Sequence, residues 1–266
     1  MKKLFIVKTG STFPATSAKH GDFDEMTRRG LGIPHDDVRV INAPHGEALP
    51  DPETCQGVVI TGAHCMVTDD LPWSLAIENW IPSLVRAEVP LLGICYGHQL
   101  LGRAMGGQAD FHPCGKEVGT FTVRKRLESG MDPLLATLPQ QFAAHATHAQ
   151  SVLKLPPGAV LLAENDFEPH HAFRVGRCAW GVQFHPEFNR DIMQDYIMAQ
   201  ADRLSRAGQD VNALLQALQE TPEASSILTV FAKLAREGKD SRHREPPAPA
   251  VARRFTAATQ KPSPSR

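Results

Sequence analysis

This chain has little that would pull it toward a partner of one charge: 28 Lys and Arg stand against 29 Asp and Glu, a formal net charge of −1. Such a balance leaves no whole-molecule field to gather nucleic acid or an acidic membrane surface, so a small molecule is the expected partner. Long apolar runs are missing too. The stretch 4–7, behind Lys2 and Lys3, ends at Lys8, too short for a signal-peptide core and far too short to span a bilayer, so no membrane is expected. The five cysteines (Cys55, Cys65, Cys95, Cys114, Cys178) are odd in number and scattered, with no close Cys-x-x-Cys pair. They read as reduced thiols of a cytoplasmic protein. Among the twelve histidines, His112 with Cys114, His145 with His148, and His170 with His171 form pairs, yet none has a third ligand at standard spacing. Neither a metal nor any other cofactor is expected. The sequence also lacks a Ser-Gly-Gly-x-Asp-Ser loop and a Walker A pattern, so it shows no nucleotide-activating site.

What is present is an alternation of short β-rich runs with helical patterns. Runs over 4–7, 38–41, 57–61 and 90–94 predict strands, with a helix over 73–87 between the third and fourth. That order implies an α/β fold with a mostly parallel sheet and helices on both faces. A helix over 96–105 follows, stopped by Gly106-Gly107. Strands over 118–123, 159–163, 171–175 and 179–184 then predict a small antiparallel excursion that returns to the main sheet. Helical patterns cover 192–204 and 211–218. Thr221, Pro222 and Glu223 supply an N-cap, a first-position proline and a first-turn acid for a helix with Ile227, Leu228, Phe231 and Leu234 on one face. Gly238 is expected to end it. The remainder, rich in Pro, Ala, Ser and Arg, reads as disordered. The expected organisation is therefore a domain over 1–207, a helical extension over 208–238 and a tail over 239–266.

The chemistry begins at Gly93-Ile94-Cys95-Tyr96-Gly97-His98-Gln99. An apolar strand runs into a cysteine with glycine two residues away on each side, and a helix follows. Nucleophile elbows have this layout, because the backbone must pass tightly on both sides of the reactive residue. A thiol at the first turn of a helix also meets the positive end of the helix dipole, which favours the thiolate. A cysteine nucleophile needs a base, and the base needs a group to orient it. Gln183-Phe184-His185-Pro186-Glu187 supplies both, since His185 and Glu187 share a side if the strand continues through them.

Together, Gly-Ile-Cys-Tyr-Gly-His-Gln and Gln-Phe-His-Pro-Glu resemble the class I glutamine amidotransferase family, with the match extending from the first strand to about Asn189. The resemblance implies the three-layer, flavodoxin-like fold of that family. It also implies that Cys95 attacks a glutamine amide to give a γ-glutamyl thioester and ammonia, that His185 shuttles the proton, and that Glu187 holds the imidazole. The Tyr96 N–H and a donor at Gly62 would form the oxyanion hole. Gln99 and the segment of His148, Thr147-His148-Ala149-Gln150-Ser151-Val152, would bind the substrate. Synthase-linked members carry Gly-Gly-Pro where this chain has Gly62-Ala63-His64, a pattern nearer to free-standing members.

The resemblance is greatest to the glutaminase part of GMP synthase, which implies glutamine as substrate and a separate synthetase chain as the partner that receives the ammonia. A second expectation is hydrolysis of a γ-glutamyl peptide or γ-glutamyl amine, chemically identical up to the thioester. A third, from another class, is an inactive regulatory or binding module. The intact set of Cys95, His185 and Glu187 argues against it.

Overall fold

The computed structural model describes residues 2–126 and 132–242. Its frame is a nine-stranded sheet. Strands β1 (Lys3–Lys8), β2 (Val38–Asn42), β3 (Cys55–Ile60) and β4 (Leu91–Ile94) are joined through helices α1 (Pro14–His20), α2 (Phe23–Leu31) and α3 (Pro72–Arg86). Helix α4 (Tyr96–Ala104) follows β4 directly. Next come β5 (Gln108–Phe111), β6 (Glu117–Lys125), β7 (Gln141–His148), β8 (Gln150–Lys154), β9 (Val160–Glu164), β10 (Ala172–Val175) and β11 (Ala179–Val182). The chain then continues through α5 (Arg190–Ala199), α6 (Ala201–Arg206), α7 (Val211–Gln216) and α8 (Pro222–Arg242). Sheet order is β2-β1-β3-β4-β11-β10-β9-β6-β7, with β5 and β8 forming a separate antiparallel pair. The first five strands in that order are mutually parallel, and the last four attach antiparallel.

The unbroken apolar run of β1 follows from burial on both faces, as expected of a parallel strand between helical layers. Leu4 and Ile6 join one core with Val59, Leu92, Trp180 and, from α8, Ile227, Leu228 and Phe231. Phe5 and Val7 join the other, with Ile77 and Ile81 of α3 and Leu100 of α4. Burial of each such side chain contributes about 1.5–3 kcal/mol. Close approach of α8 needs small partners. A β-carbon on Gly57 would sit 2.8 Å from the Ala235 Cβ, and one on Gly30 would sit 2.2 Å from Leu228 Cδ1.

The antiparallel half curls. Strand β7 stands at the far end of the sheet order, yet the His145 carbonyl on it accepts from the His185 N–H beyond the end of β11, at 2.8 Å. Phe142 and Phe184 meet edge to face inside the curl, with ring centroids 5.8 Å apart.

Four expectations change. Strand β11 stops at Val182, short of His185. The helix expected over 192–204 breaks at Gln200 into α5 and α6. Helix α8 runs through Gly238 to Arg242, because one glycine costs a helix only about 1 kcal/mol. Thr221 occupies the cap position and its carbonyl accepts from the Ser225 N–H, but its buried hydroxyl has no hydrogen-bond partner among the described residues. The part of the expected tail from residue 243 onward lies outside the described residues. Among the described residues, no helix is long and apolar enough to cross a membrane.

Candidate active site

Cys95 joins β4 to α4 with φ +49° and ψ −97°, a conformation that costs a non-glycine residue on the order of 1–3 kcal/mol. Its surroundings hold it there. The Cys95 N–H donates to the Val182 carbonyl at 2.8 Å, and the Gly97 N–H donates to the Thr61 carbonyl at 3.2 Å. Side chains are excluded on both flanks: a β-carbon on Gly93 would lie 2.3 Å from the Gly97 carbonyl oxygen. The elbow read from the two glycines is therefore built as expected. Tyr96 opens α4, so its N–H has no intrahelical acceptor. Its hydroxyl, in contrast, is tied to Ser74 Oγ at 2.7 Å.

His185 reaches the cysteine from a turn, not from a strand. After β11 the chain bends, the His185 N–H is anchored on His145, and the Phe188 N–H donates back to the His185 carbonyl at 3.3 Å. This turn, instead of strand alternation, brings Glu187 Oε1 to 2.8 Å from His185 Nδ1. Both side chains are buried, and Phe188 stacks on the imidazole at 4.3 Å. Burial alone would push the imidazole toward its neutral form. The Glu187 carboxylate and the Cys95 sulfur outweigh that effect and raise His185 to about 10.

Gly62 lies beneath this pair. A β-carbon there would stand 3.0 Å from His185 Cε1 and 3.7 Å from Cys95 Cβ, so a side chain at this position would crowd both the imidazole and the cysteine. The Thr9 hydroxyl donates to the Gly62 carbonyl at 2.9 Å, which pins this loop to the end of β1.

Gln99 sits one turn of α4 beyond Cys95, and its amide nitrogen donates to the Gln150 carbonyl (2.7 Å) and to Gln183 Oε1 (3.1 Å). Both N–H groups are engaged, which leaves the amide oxygen as its available group. His148 belongs to the segment expected to hold the substrate. Its ring bridges the Gln150 carbonyl (3.0 Å) and Glu117 Oε2 (2.8 Å) in a fully buried cluster with His171. The imidazole is therefore committed to protein partners, and His148 lines the cleft together with Thr147, Ala149 and Gln150. Burial opposes ionisation of Glu117, but hydrogen bonds from His148 and then His171 hold its carboxyl far below the usual range.

The cleft over Cys95 has a volume of about 820 Å³, part of it open to solvent. Besides His64 of the Gly62-Ala63-His64 loop, the lining includes residues that no sequence motif marks, namely Phe13, Lys116, Tyr196, Gln200 and Arg203. Phe13, His64 and Tyr196 pack ring on ring, and the Tyr196 hydroxyl is bonded to Thr12 Oγ1 at 2.6 Å. Burial above all, then Lys116 and His185, lower His64 to about 4. One signal was readable: Asp22-x-x-Glu25 is a capping box, and it announces the helix whose first residue, Phe23, also lines this cleft.

The sequence pattern of the family described as "Glutamine amidotransferase class-I" matches residues 34–201. The chain belongs to that family. Over 193 residues this family member is 32% identical to a GMP synthase [glutamine-hydrolyzing] of Aeropyrum pernix, covering 70% of this chain and 35% of that one. It is 32% identical over 164 residues to gamma-glutamyl peptidase 4 of Arabidopsis thaliana, covering 61% of this chain and 65% of the peptidase. A third relative, a GMP synthase [glutamine-hydrolyzing] subunit of Methanocaldococcus jannaschii, is 30% identical over 56% of this chain and 77% of its own length. This amidotransferase-family chain thus spans about a third of the Aeropyrum pernix GMP synthase and just under two thirds of the peptidase. In fold it is similar to a glutamine amidotransferase of Thermotoga maritima, with a TM-score of 0.70 at 22% identity over 89% of this chain and 99% of that one. The three-layer, flavodoxin-like α/β architecture is that of this family.

Proposed function

We propose that the protein hydrolyses a γ-glutamyl amide through a thioester on Cys95, with glutamine as the first substrate. The observation that carries this reading is a cysteine held at φ +49° beside a buried imidazole whose Nδ1 is bonded to a carboxylate. In the reaction Cys95 Sγ bonds to the amide carbon, and the carbonyl oxygen takes the negative charge near the N–H of Tyr96 and the Gly62 loop. The C–N bond then breaks as His185 gives its proton to the departing nitrogen, and water, with its proton drawn by His185, cleaves the thioester to glutamate. Glu187 keeps the ring oriented and offsets its charge. Gln99 and the segment from Thr147 to Gln150 bind the glutamyl end.

The ammonia passes to an acceptor-activating synthetase partner. Support comes from the similarity to GMP synthases, one of them a separate glutamine-hydrolysing chain by name. We place the protein in the cytoplasm, a reading supported by cysteines that are odd in number, scattered and without a close Cys-x-x-Cys pair. A γ-glutamyl peptide or amine is the second reading, favoured by the open cleft and by the γ-glutamyl peptidase relative. The test offers purified protein glutamine, glutathione and γ-glutamyl-polyamines in turn, with and without cell extract. Ammonia release from glutamine is expected. Absence of turnover on all three, together with no mass increase on Cys95 from a diazo-ketone glutamine analogue, would instead mark an inactive binding module.

A further inference from the structure

Two threonines meet behind the loop that carries Gly62. Thr9 follows β1 and Thr61 follows β3, both are buried, and the Thr9 N–H donates to Thr61 Oγ1 at 3.1 Å. Both hydroxyls reach the Gly62 carbonyl oxygen, Thr9 at 2.9 Å and Thr61 at 3.1 Å. Thr9 Oγ1 also lies 3.0 Å from the Thr61 carbonyl oxygen and 3.1 Å from Thr61 Oγ1, so the pair closes on itself around that one peptide. A carbonyl gripped from two sides has a fixed plane.

That plane decides where the next N–H points. The peptide between Gly62 and Ala63 is trans, so its N–H lies opposite its carbonyl. The strands stand in the order β1-β3-β4, and the Gly62 carbonyl is turned toward Thr9 on the β1 side. The Ala63 N–H is thereby turned toward the β4 side, where Cys95 follows the strand. By the same rule the Thr61 carbonyl, which accepts from the Gly97 N–H of α4, turns the Gly62 N–H away from the nucleophile's helix. Ala63 lines the cleft with Cys95 and Tyr96, and among the described residues its N–H donates to no acceptor. Gly10 backs it from the β1 side, since a β-carbon there would press on Ala63 Cβ at 3.1 Å.

We propose that Thr9 and Thr61 are positioning residues for acyl transfer: their hydroxyls set the peptide so that the Ala63 N–H, and not that of Gly62, joins the Tyr96 N–H at the substrate's carbonyl oxygen. This rests on acyl transfer at Cys95 as given above. As Sγ bonds to the amide carbon, the carbonyl π pair moves onto the oxygen, and the two N–H groups bond the charge that develops there. The pair returns to the carbon when the C–N bond breaks. Threonines that act this way serve the transition state more than the bound substrate.

The test separates rate from binding. Thr9→Val removes one hydroxyl, and kcat on glutamine is expected to fall about tenfold; Thr9→Val with Thr61→Val approaches the ~10²–10³ of a lost oxyanion donor. Glutamine binding, measured by calorimetry in a Cys95→Ala background, should change by less than about twofold. Thr9→Ser keeps the hydroxyl and should return most of the rate. Thr61→Val alone reads the same effect if the Thr9→Val variant folds poorly. An unchanged kcat in the folded variants, a loss that appears equally in glutamine Kd, or a Thr9→Ser variant as slow as Thr9→Val overturns the proposal and leaves acyl transfer standing. Failure of the wild type on glutamine, with Cys95 unlabelled by the diazo-ketone analogue, overturns both.

Discussion

Gly97 passes so close to Ile60 that a β-carbon on it would stand 2.4 Å from the Ile60 carbonyl oxygen. The obstacle is backbone at the end of a central strand, so α4 itself must move. Gly97→Ala is expected to cost about 1–3 kcal/mol, as overpacked cores do, and to carry the Tyr96 N–H away from the sulfur. Thermal unfolding should register roughly 2–4 °C for each kcal/mol. Labelling of Cys95 by the diazo-ketone analogue should slow in the folded variant, and an unchanged rate would contradict this account of the elbow.

Removing the reacting groups separates chemistry from orientation. Cys95→Ser and His185→Ala are expected to abolish glutamine turnover. Glu187→Gln should retain a residue of activity, with a rate loss of up to ~10⁴, because an amide still holds the ring but not its charge. Steady-state ammonia release measures all three variants, and wild-type rates in Cys95→Ser would refute the assignment.

The buried imidazole predicts a specific dependence of stability on pH. His185 is raised from its ordinary 6.5 to about 10, so the folded protein keeps a proton that the unfolded chain gives up. The resulting stabilisation is complete below about 6.5 and is lost as pH rises through about 10. His64 and His145, lowered to about 4 by burial above all, act in the window below, where their penalty fades as pH climbs from about 4 to 6.5. Lys116, at about 8, opposes His185 only above that value. Urea midpoints should therefore fall between pH 6.5 and 8 in the wild type and stay flat in His185→Ala; a fall of the same slope in the variant would assign the effect elsewhere.

Phe231 is fully buried in α8, with its ring edge on to Trp180 at a centroid distance of 6.4 Å. Phe231→Ala should cost about 3–5 kcal/mol, read as a lowered urea midpoint. A loss below 1 kcal/mol would mean that α8 covers the sheet without stabilising it.

Much of this was legible because local constraints write themselves into local sequence. The two glycines around Cys95 mark a backbone crossing, and each is sterically required. The apolar strands alternate with helices because both faces of the parallel sheet are covered. The pairing of His185 with Glu187 was inferred correctly, but for the wrong reason: alternation along a strand and a tight turn both place residues two apart together, and periodicity does not distinguish them. The partner of the His148 ring carries no signal in the sequence, because a histidine looks the same whether it faces a substrate or a buried carboxylate, and Glu117 is distant in sequence. Lys116 and Arg203 carry no signal in the sequence, since the turn before β6 and helix α6 come to line one cleft only in the fold.

The bond from the His185 N–H to the His145 carbonyl has a consequence for the fate of the whole chain. Strand β7 is the terminal strand of the sheet order, and a terminal strand offers its open backbone groups to any other polypeptide. Here part of that rim is occupied by the chain's own reactive segment. Selection for a correctly placed base thereby also guards against strand-to-strand self-association, and variants that loosen the turn at His185 should precipitate as well as fall silent.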